Sequence, residues 1–253
     1  MDRFFDLSVG RLVLAIICAI IVGMSKCGLP GASTLAIPML ASMFPARLST
    51  GVMLPMLIMG DVMGVVHFNR HADWKVLLRL LAPSLLGIVL GYFLLGLPSL
   101  DDNAIRIIIA IIVLALAALG FFSDKLKKAL DGAGGRLMLA CGLFFGLLAG
   151  LTTMLANAAG PVVLIYLLTM QLPKDAFLGT SAWFFFLLNL CKVPFMVHRQ
   201  MITLTSVHFN FEMFPFILLG AIIGTILSSK MSNRSFSFWV RILTVIAAVK
   251  LLF

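Results

Sequence analysis

Long apolar segments separated by short polar ones run along the whole sequence. A helix needs about 20 apolar residues to cross the hydrocarbon core of a bilayer, and most of the segments approach or exceed that length. Apolar and polar positions do not alternate as they would in a membrane β-barrel. The pattern therefore predicts an all-α polytopic membrane protein with eight to ten hydrophobic segments. These segments are 11–27, 29–44, 46–69, 76–97, 103–122, 137–152, 156–171, 174–197, 209–230 and 234–252.

Composition supports this class. The chain has 253 residues, of which 62% are hydrophobic and 11% charged, and its mean hydropathy is +1.13. A soluble domain is nearer half apolar and a quarter charged. The net charge of +9 would suggest a nucleic-acid partner in a soluble protein. Here the cations cluster in short loops, as the positive-inside rule describes for cytoplasmic loops. We expect a multi-pass protein of a cell membrane, typically a bacterial inner membrane, with loops 70–79 and 123–136 in the cytoplasm and no nucleic-acid partner.

The two halves of the sequence resemble each other. "PARLSTGVMLPMLIMGDVMG" from Pro45 aligns with "PKDAFLGTSAWFFFLLNLCK" from Pro173, which places Gly51 over Gly179 and Asp61 over Asn189. Weak internal symmetry of this kind is typical of secondary transporters. We predict two pseudo-symmetric repeats, each with a broken or re-entrant first helix unit and three full transmembrane helices. The predicted units are a first transmembrane repeat over 1–122, a cytoplasmic linker over 123–136 and a second transmembrane repeat over 137–253.

The first unit of each half contains helix-breaking residues. "GMSKCGLPGASTLAIP" (23–38) interrupts the first, and "GLTTMLANAAGP" (150–161) interrupts the second. Each unit is too long for one membrane helix and too short for two full crossings with a turn. If each is a hairpin or a pair of crossings, the repeats are inverted, whereas one broken span in each makes them parallel. The sequence leaves both topologies open.

Interrupted helices are candidate anion sites. A new helix N-terminus presents free N–H groups and a partial positive charge, and small residues let an anion approach. Close helix packing is the alternative role of such small residues. The predicted substrate-binding residues of the breaks, besides their charged members, are Gly28, Gly31, Ser33, Thr34, Thr152, Thr153 and Asn157.

Three ionisable residues lie within apolar segments: Lys26, Asp61 and Lys192. Each costs about 2.5–3.5 kcal/mol near a helix centre on insertion scales, so such residues usually face a cavity or a partner. Two lysines against one aspartate predict a positive interior, an anionic ligand and a proton-coupling role for Asp61. Asn189 and Lys192 share a helix face and are expected to donate together to an oxyanion. The alternatives are a structural ion pair between Asp61 and a lysine, or lysines that snorkel to an interface.

Other residues carry weaker signals. The aromatic run 183–186 is interpreted as lipid-facing or core surface, and His67 and His71 as interfacial residues beside a cationic loop. No metal-ligand spacing, nucleophile elbow or nucleotide loop is present in the sequence. We therefore expect no metal site, no cofactor and no enzymatic activity.

The quoted motifs resemble the TauE/SafE family, the sulfite exporter or toluene sulfonate uptake permease family. They are "GLPGASTLAIPML", "PARLSTGVMLP", "NRHADW", "GAIIGTILSSKM" and, most specifically, "GTSAWFFFLLNLCKVP" with its N-x-x-K element. Pro30 departs from the family's usual Gly-Gly run at the first break. The resemblance implies a transporter for small sulfur-containing anions such as sulfite or organosulfonates. With such a substrate, the thiol of Cys27 becomes a further candidate contact, although a buried apolar cysteine is the commoner case.

These observations favour a secondary anion transporter that works by alternating access and couples to protons. The alternatives are a passive anion channel, which would share the same site chemistry, and a membrane-embedded redox or enzyme subunit. The expected partners are a small anionic substrate, the lipid bilayer and protons, and the sequence is compatible with a homodimer. Which anion moves, and in which direction, stays open.

Overall fold

A computed structural model describes residues 8–97 and 135–232, together with residues 235, 238, 239 and 242. The described residues form helices, turns and loops, and six of the helices are long and apolar enough to cross a membrane. This confirms the predicted all-α polytopic class. The segment 103–122, most of 234–252 and most of the linker 123–136 lie outside the described residues, so the division into repeats stays a prediction. The α-helices are α1 (Val9–Cys27), α2 (Ala36–Met43), α3 (Ala46–Phe68), α4 (Trp74–Leu94), α5 (Gly135–Ala156), α6 (Ala159–Thr169), α7 (Lys174–His198) and α8 (Leu204–Ser229).

Glycines set how closely the long helices pack. A Cβ added to Gly220 would overlap the backbone of Ile20, and one added to Gly224 would overlap Met24, so α8 lies directly against α1 and parallel to it. Small residues permit such backbone approach in membranes, where dispersion contacts drive helix association. Gly87 of α4 meets α5 around Gly150 in the same way. Each of these two tight pairs joins a helix of the first half to a helix of the second.

Helices α3 and α7, which the sequence alignment makes equivalent, run in opposite directions. Gly51 near the start of α3 packs against Met201 beyond the end of α7. Gly179 near the start of α7 packs against Phe68 and Ala72 at the end of α3. Helices related by an axis along the membrane normal would run in the same direction, so the described helices fit inverted and not parallel repeats.

The first unit of each half is a hairpin. Helix α1 runs parallel to α3, because Val22 and Lys26 contact Gly60 while the Lys26 carbonyl lies at Gly64. The chain must therefore return through the short α2 before α3 begins. The shorter α6 follows α5 in the same manner. These hairpins decide between the two topologies that the sequence left open.

The end of α3 and the start of α4 define one face of the protein. Asp73 ends the connecting turn and caps α4, since its carboxylate accepts from the backbone N–H groups of Lys75 and Val76 at 3.0 and 3.1 Å. The Asp73 N–H donates to the Thr180 hydroxyl of α7 at 2.8 Å. We name this the cationic face, because the positive side chains Arg70, Lys75, Arg79, Lys174 and Lys230 lie at the helix ends that meet there.

The buried apolar residues form two clusters. One consists of residues from α1, α2, α3 and α8, together with Phe44. The other consists of residues from α4, α5, α6 and α7 and their connections, joined by Leu54 and Phe68 of α3. Neither cluster coincides with a half of the sequence, because α4 and α8 each pack with the opposite half.

Candidate functional site

The first break lies where α1 ends at Cys27. Pro30 lacks an N–H group, and Gly31 has a φ of 96°, a left-handed conformation that glycine adopts without steric cost. A 3-10 turn, Ala32–Leu35, then leads into α2. Gly23, which we expected to interrupt the helix, instead lies inside α1 and packs against the backbone of Ile217 in α8. The break therefore extends over 28–35, and Pro38 of the expected stretch lies inside α2.

The second break is formed by Asn157 and Ala158 between α5 and α6. Asn157 has a φ of 55°, a conformation that asparagine tolerates better than most residues. Its N–H and that of Ala158 donate back to Thr153 and Thr152, which closes the end of α5. Helix α6 begins without a side-chain cap, and the N–H groups of its first two residues, Ala159 and Gly160, point toward the break.

A small cavity separates the two breaks. The centre of a water molecule can occupy about 20 Å³ within it. A cavity of roughly 10–15 Å³ by this measure holds one water molecule, so this one has room for little more. Gly160 of α6 lies opposite Thr34 and Gly31, and the two hairpins thus meet beside the cavity. Six predicted site residues form part of its wall: Lys26, Gly31, Ser33, Thr153, Asn157 and Asn189.

Lys26 and Asp61 form an ion pair at one end of the cavity. The Lys26 Nζ lies 2.7 Å from an Asp61 carboxylate oxygen, and the two side chains are 8% and 0% exposed. The other Asp61 oxygen accepts from the Asn189 amide at 2.7 Å. The Lys26 ammonium also lies 4.4 Å from the centroid of the Phe185 ring, within range of a cation–π contact. The alternative role considered for Asp61, an ion pair with a lysine, is therefore present in the structure.

Lys192 is fully buried near the other break. Its Nζ donates to the Thr153 hydroxyl at 3.0 Å and to the Asn157 amide oxygen. The Asn157 amide nitrogen donates in turn to the Thr50 carbonyl of α3 at 2.9 Å. These acceptors are neutral, and the described residues place no carboxylate within ion-pair distance of Lys192. An anion bound beside such a lysine would stabilise its charged form, which burial among neutral groups otherwise disfavours.

The expected joint donation by Asn189 and Lys192 is not present in this conformation. Asn189 donates to Asp61, whereas Lys192 donates toward the second break. Both side chains belong to α7, but Asn189 hydrogen-bonds in the cluster with Asp61 and Lys192 in the cluster at the second break. Together the clusters hold two lysines and one carboxylate, so with both lysines protonated one positive charge is left for an anion to neutralise.

Five predicted binding residues are not part of the cavity wall: Cys27, Gly28, Thr34, Thr152 and Lys192. Gly28 packs against the backbone of Gly224, and the Thr152 hydroxyl donates to Leu148 of its own helix at 2.7 Å. Cys27 is buried beside Thr225, and Thr34 lies against Gly160. For Gly28 and Thr152, the geometry matches the alternative role of helix packing and stability.

Sequence reasoning missed part of the cavity wall. The interpretation of the aromatic run 183–186 does not fit Phe185, because its ring faces the cavity and Lys26. Ser181, Phe185 and Asn189 follow one another at four-residue spacing, which places them on one face of α7. Their four-residue spacing from Asn189 was the signal in the sequence that could have identified Ser181 and Phe185 as wall residues. The further wall residues are Ser25, Pro30, Leu57, Gly160, Leu178 and Ala182.

Comparison with known proteins agrees with the resemblance drawn from the motifs. A family model described as "Sulfite exporter TauE/SafE" matches residues 15–251. No curated protein and no solved structure matches the sequence significantly. The family match and the six apolar helices identify a multi-pass membrane transporter. The chain belongs to the TauE/SafE sulfite exporter family.

Proposed function

We propose that this transporter moves small sulfur-containing anions, such as sulfite or an organosulfonate, by alternating access to the cavity between the two hairpins. The observation that carries the proposal is the excess of buried lysines over carboxylates beside this cavity. Among the described residues, Lys192 has only neutral acceptors and Lys26 has one carboxylate partner. An anion bound between them would receive hydrogen bonds from Lys26, Ser33 or Asn189 and from the uncapped first turn of α6.

Asp61 would couple the anion to a proton. It is the one acidic residue among the buried polar residues of the described chain, and it competes with any anion for Lys26. Protonation of Asp61 removes that competition and leaves the Lys26 ammonium in need of a new negative partner. Anion and proton are then expected to bind together and move in the same direction.

The cationic face is proposed to lie in the cytoplasm of a bacterial cell. Arg70, Lys75 and Arg79 flank the turn between α3 and α4, and Lys174 and Lys230 lie at the neighbouring helix ends. The opposite face presents fewer basic residues in the described part of the chain, and this difference supports the orientation by the positive-inside rule.

A ligand screen tests the substrate class and the site together. Thermal stability of the purified protein is measured with sulfite, thiosulfate and a series of sulfonates, using chloride at equal ionic strength as the reference. We expect at least one sulfur anion to raise the melting temperature of the wild type and to have no effect on Lys192→Met. Lys230→Met, which removes an exposed lysine, is the matched control and should respond like the wild type.

Transport in liposomes then separates a carrier from a channel. The anion found in the screen is loaded inside, and uptake of its labelled form is followed. Counterflow that saturates indicates a carrier, whereas flux that is proportional to concentration and lacks counterflow indicates a channel. Absence of any sulfur-anion response in both assays would contradict the proposed function.

A further inference from the structure

The packing of the helices divides the molecule differently from the sequence. The first bundle consists of α1, α2, α3 and α8, and the second bundle consists of α4, α5, α6 and α7. Each bundle has an apolar cluster, and the cluster of the second bundle also includes Leu54 and Phe68 of α3. Each also contains one of the glycine-packed helix pairs, α1 with α8 or α4 with α5. The two halves of the sequence are thus interlocked, since each bundle takes three neighbouring elements from one half and one helix from the other.

The glycine-packed pairs cannot slide apart easily. Gly23 and Gly220 hold the backbones of α1 and α8 in direct contact, and Gly87 and Gly150 do the same for α4 and α5. Separating two backbones this close removes many dispersion contacts. In a membrane such packing, and not a hydrophobic driving force, is what holds helices together. A motion of the first half against the second would have to break both pairs at once.

The boundary between the bundles is polar where it passes the site. It is formed mainly by α3 against α7. Asp61 accepts from Asn189 across this boundary, and the Thr50 carbonyl accepts from Asn157. Asp61 and Asn189 are also aligned in the predicted internal repeat, so an axis relating the two halves would pass between them. The candidate cavity lies on the same boundary, with Lys26 and Ser33 on one side and Thr153 and Phe185 on the other.

Few connecting segments of the chain join the two bundles. Within the described residues the chain passes between them twice, at 69–73 on the cationic face and at 199–203 on the opposite face. Gln200 in the second connection has a φ of 54°, which is uncommon for a residue other than glycine. The cavity has room for about one water molecule, so the bundles must separate at one face before a larger anion can enter.

We infer that the first and second bundles, and not the two halves of the sequence, are the rigid units that move during transport, with the Asp61–Asn189 contact as the joint between them. This inference rests on the proposed transport function for its purpose, but the motion itself is measurable without transport. A pair of positions in one bundle but in different halves should keep a constant distance if the bundles move, and should change its distance if the halves move. A pair in one half but in different bundles should behave in the opposite way.

Distance measurements between labels test the inference. Val9, Leu97 and Leu204 are exposed at helix ends on the opposite face, at the start of α1, just beyond α4 and at the start of α8. Val9→Cys with Leu204→Cys joins different halves within the first bundle. Val9→Cys with Leu97→Cys joins the same half across the two bundles. The four native cysteines are replaced first, and gadolinium labels are attached by thioether bonds, because sulfite cleaves disulfides.

Double electron–electron resonance is recorded in lipid nanodiscs at pH 5 and pH 8, with and without sulfite. We expect the Val9–Leu97 distance distribution to shift or to show two populations among these conditions, and the Val9–Leu204 distribution to stay narrow and constant. The reverse result would overturn the inference, and so would distributions that are constant for both pairs. Neither result depends on sulfite being transported, so failure of the proposed function is recognised separately in the liposome assay.

Cross-linking with a short bis-maleimide provides the transport readout, using sulfite or whichever panel anion is transported. Arg79→Cys with Met138→Cys links α4 to α5 and joins the two halves within one bundle. In the native protein the Arg79 guanidinium lies 3.0 Å from the Met138 sulfur. Lys174→Cys with Met231→Cys links α7 to the end of α8, where Lys174 donates to the Met231 carbonyl at 3.2 Å. That second link lies within one half but crosses the bundles. We expect cross-linking to leave the first variant within about twofold of its uncross-linked rate and to slow the second by about tenfold or more. The opposite ranking would overturn the inference.

Discussion

The buried ion pair between Lys26 and Asp61 allows a quantitative test of the site. At 2.7 Å between Nζ and carboxylate oxygen, the attraction is about 6 kcal/mol if the effective dielectric constant is about 20. Desolvation of both groups offsets much of this attraction. Removing one partner leaves the other buried and uncompensated, which typically costs about 3–5 kcal/mol.

The test is a double-mutant cycle with Lys26→Met and Asp61→Asn. We expect each single substitution to lower the free energy of unfolding by about 3–5 kcal/mol. In the double variant neither member of the ion pair is left without its partner, and the amide introduced by Asp61→Asn still has Asn189 as a hydrogen-bond partner. We therefore expect the double variant to be about 3 kcal/mol more stable than the sum of the single effects indicates.

The assay is equilibrium unfolding in mixed micelles with increasing SDS, followed by near-ultraviolet circular dichroism. The exposed pair His208 and Glu212, 3.4 Å apart, serves as a control. Glu212→Gln should change the free energy of unfolding by less than about 1 kcal/mol, because exposed pairs contribute little. Additive effects of Lys26→Met and Asp61→Asn, within about 0.5 kcal/mol, would show that the two groups do not stabilise each other.

Three further predictions concern packing, coupling and the turn on the cationic face. Gly23→Ala should lower the free energy of unfolding by about 1–3 kcal/mol, because its Cβ would overlap the Ile217 backbone, whereas Gly10→Ala in the same helix meets no atom within 4 Å and should be neutral or stabilising. In thermal-shift titrations with sulfite we expect the wild type to lose affinity at high pH and Asp61→Asn to keep it; the same pH profile in both proteins would exclude Asp61 as the coupling residue. Thr180→Val should cost about 1 kcal/mol in SDS unfolding by removing the acceptor of the Asp73 N–H, and Thr180→Ser should restore the stability.

Much of the fold could be predicted from the sequence, because local signals control it. Apolar length sets the spans, and the Gly-Pro run at 28–31 and Asn157 set the breaks. The direction of each span could not be predicted, since a hairpin and a broken span have the same apolar pattern. The exchange of α4 and α8 between bundles depends on tertiary packing of glycines, and nothing local specifies their partners.

The charged residues of the candidate site could be predicted from the sequence, but the contacts between them could not. A charge inside an apolar segment is conspicuous, so Lys26, Asp61 and Lys192 could be selected directly. Which lysine contacts Asp61 depends on the depth at which each helix breaks, and only the three-dimensional structure gives that depth. Phe185 was missed because an aromatic side chain carries no sign of whether it faces lipid or a cavity.

Anion binding by the buried cationic groups of the cavity, on which the proposed function depends, can be observed directly. Selenite is the selenium analogue of sulfite and scatters X-rays anomalously, so its position can be located in crystals of the protein. We expect an anomalous peak between the two breaks, within hydrogen-bonding distance of Lys26 or Asn189, that is absent from Lys26→Met crystals. A peak confined to the lysines and arginines of the cationic face, with the cavity empty, would contradict the proposal.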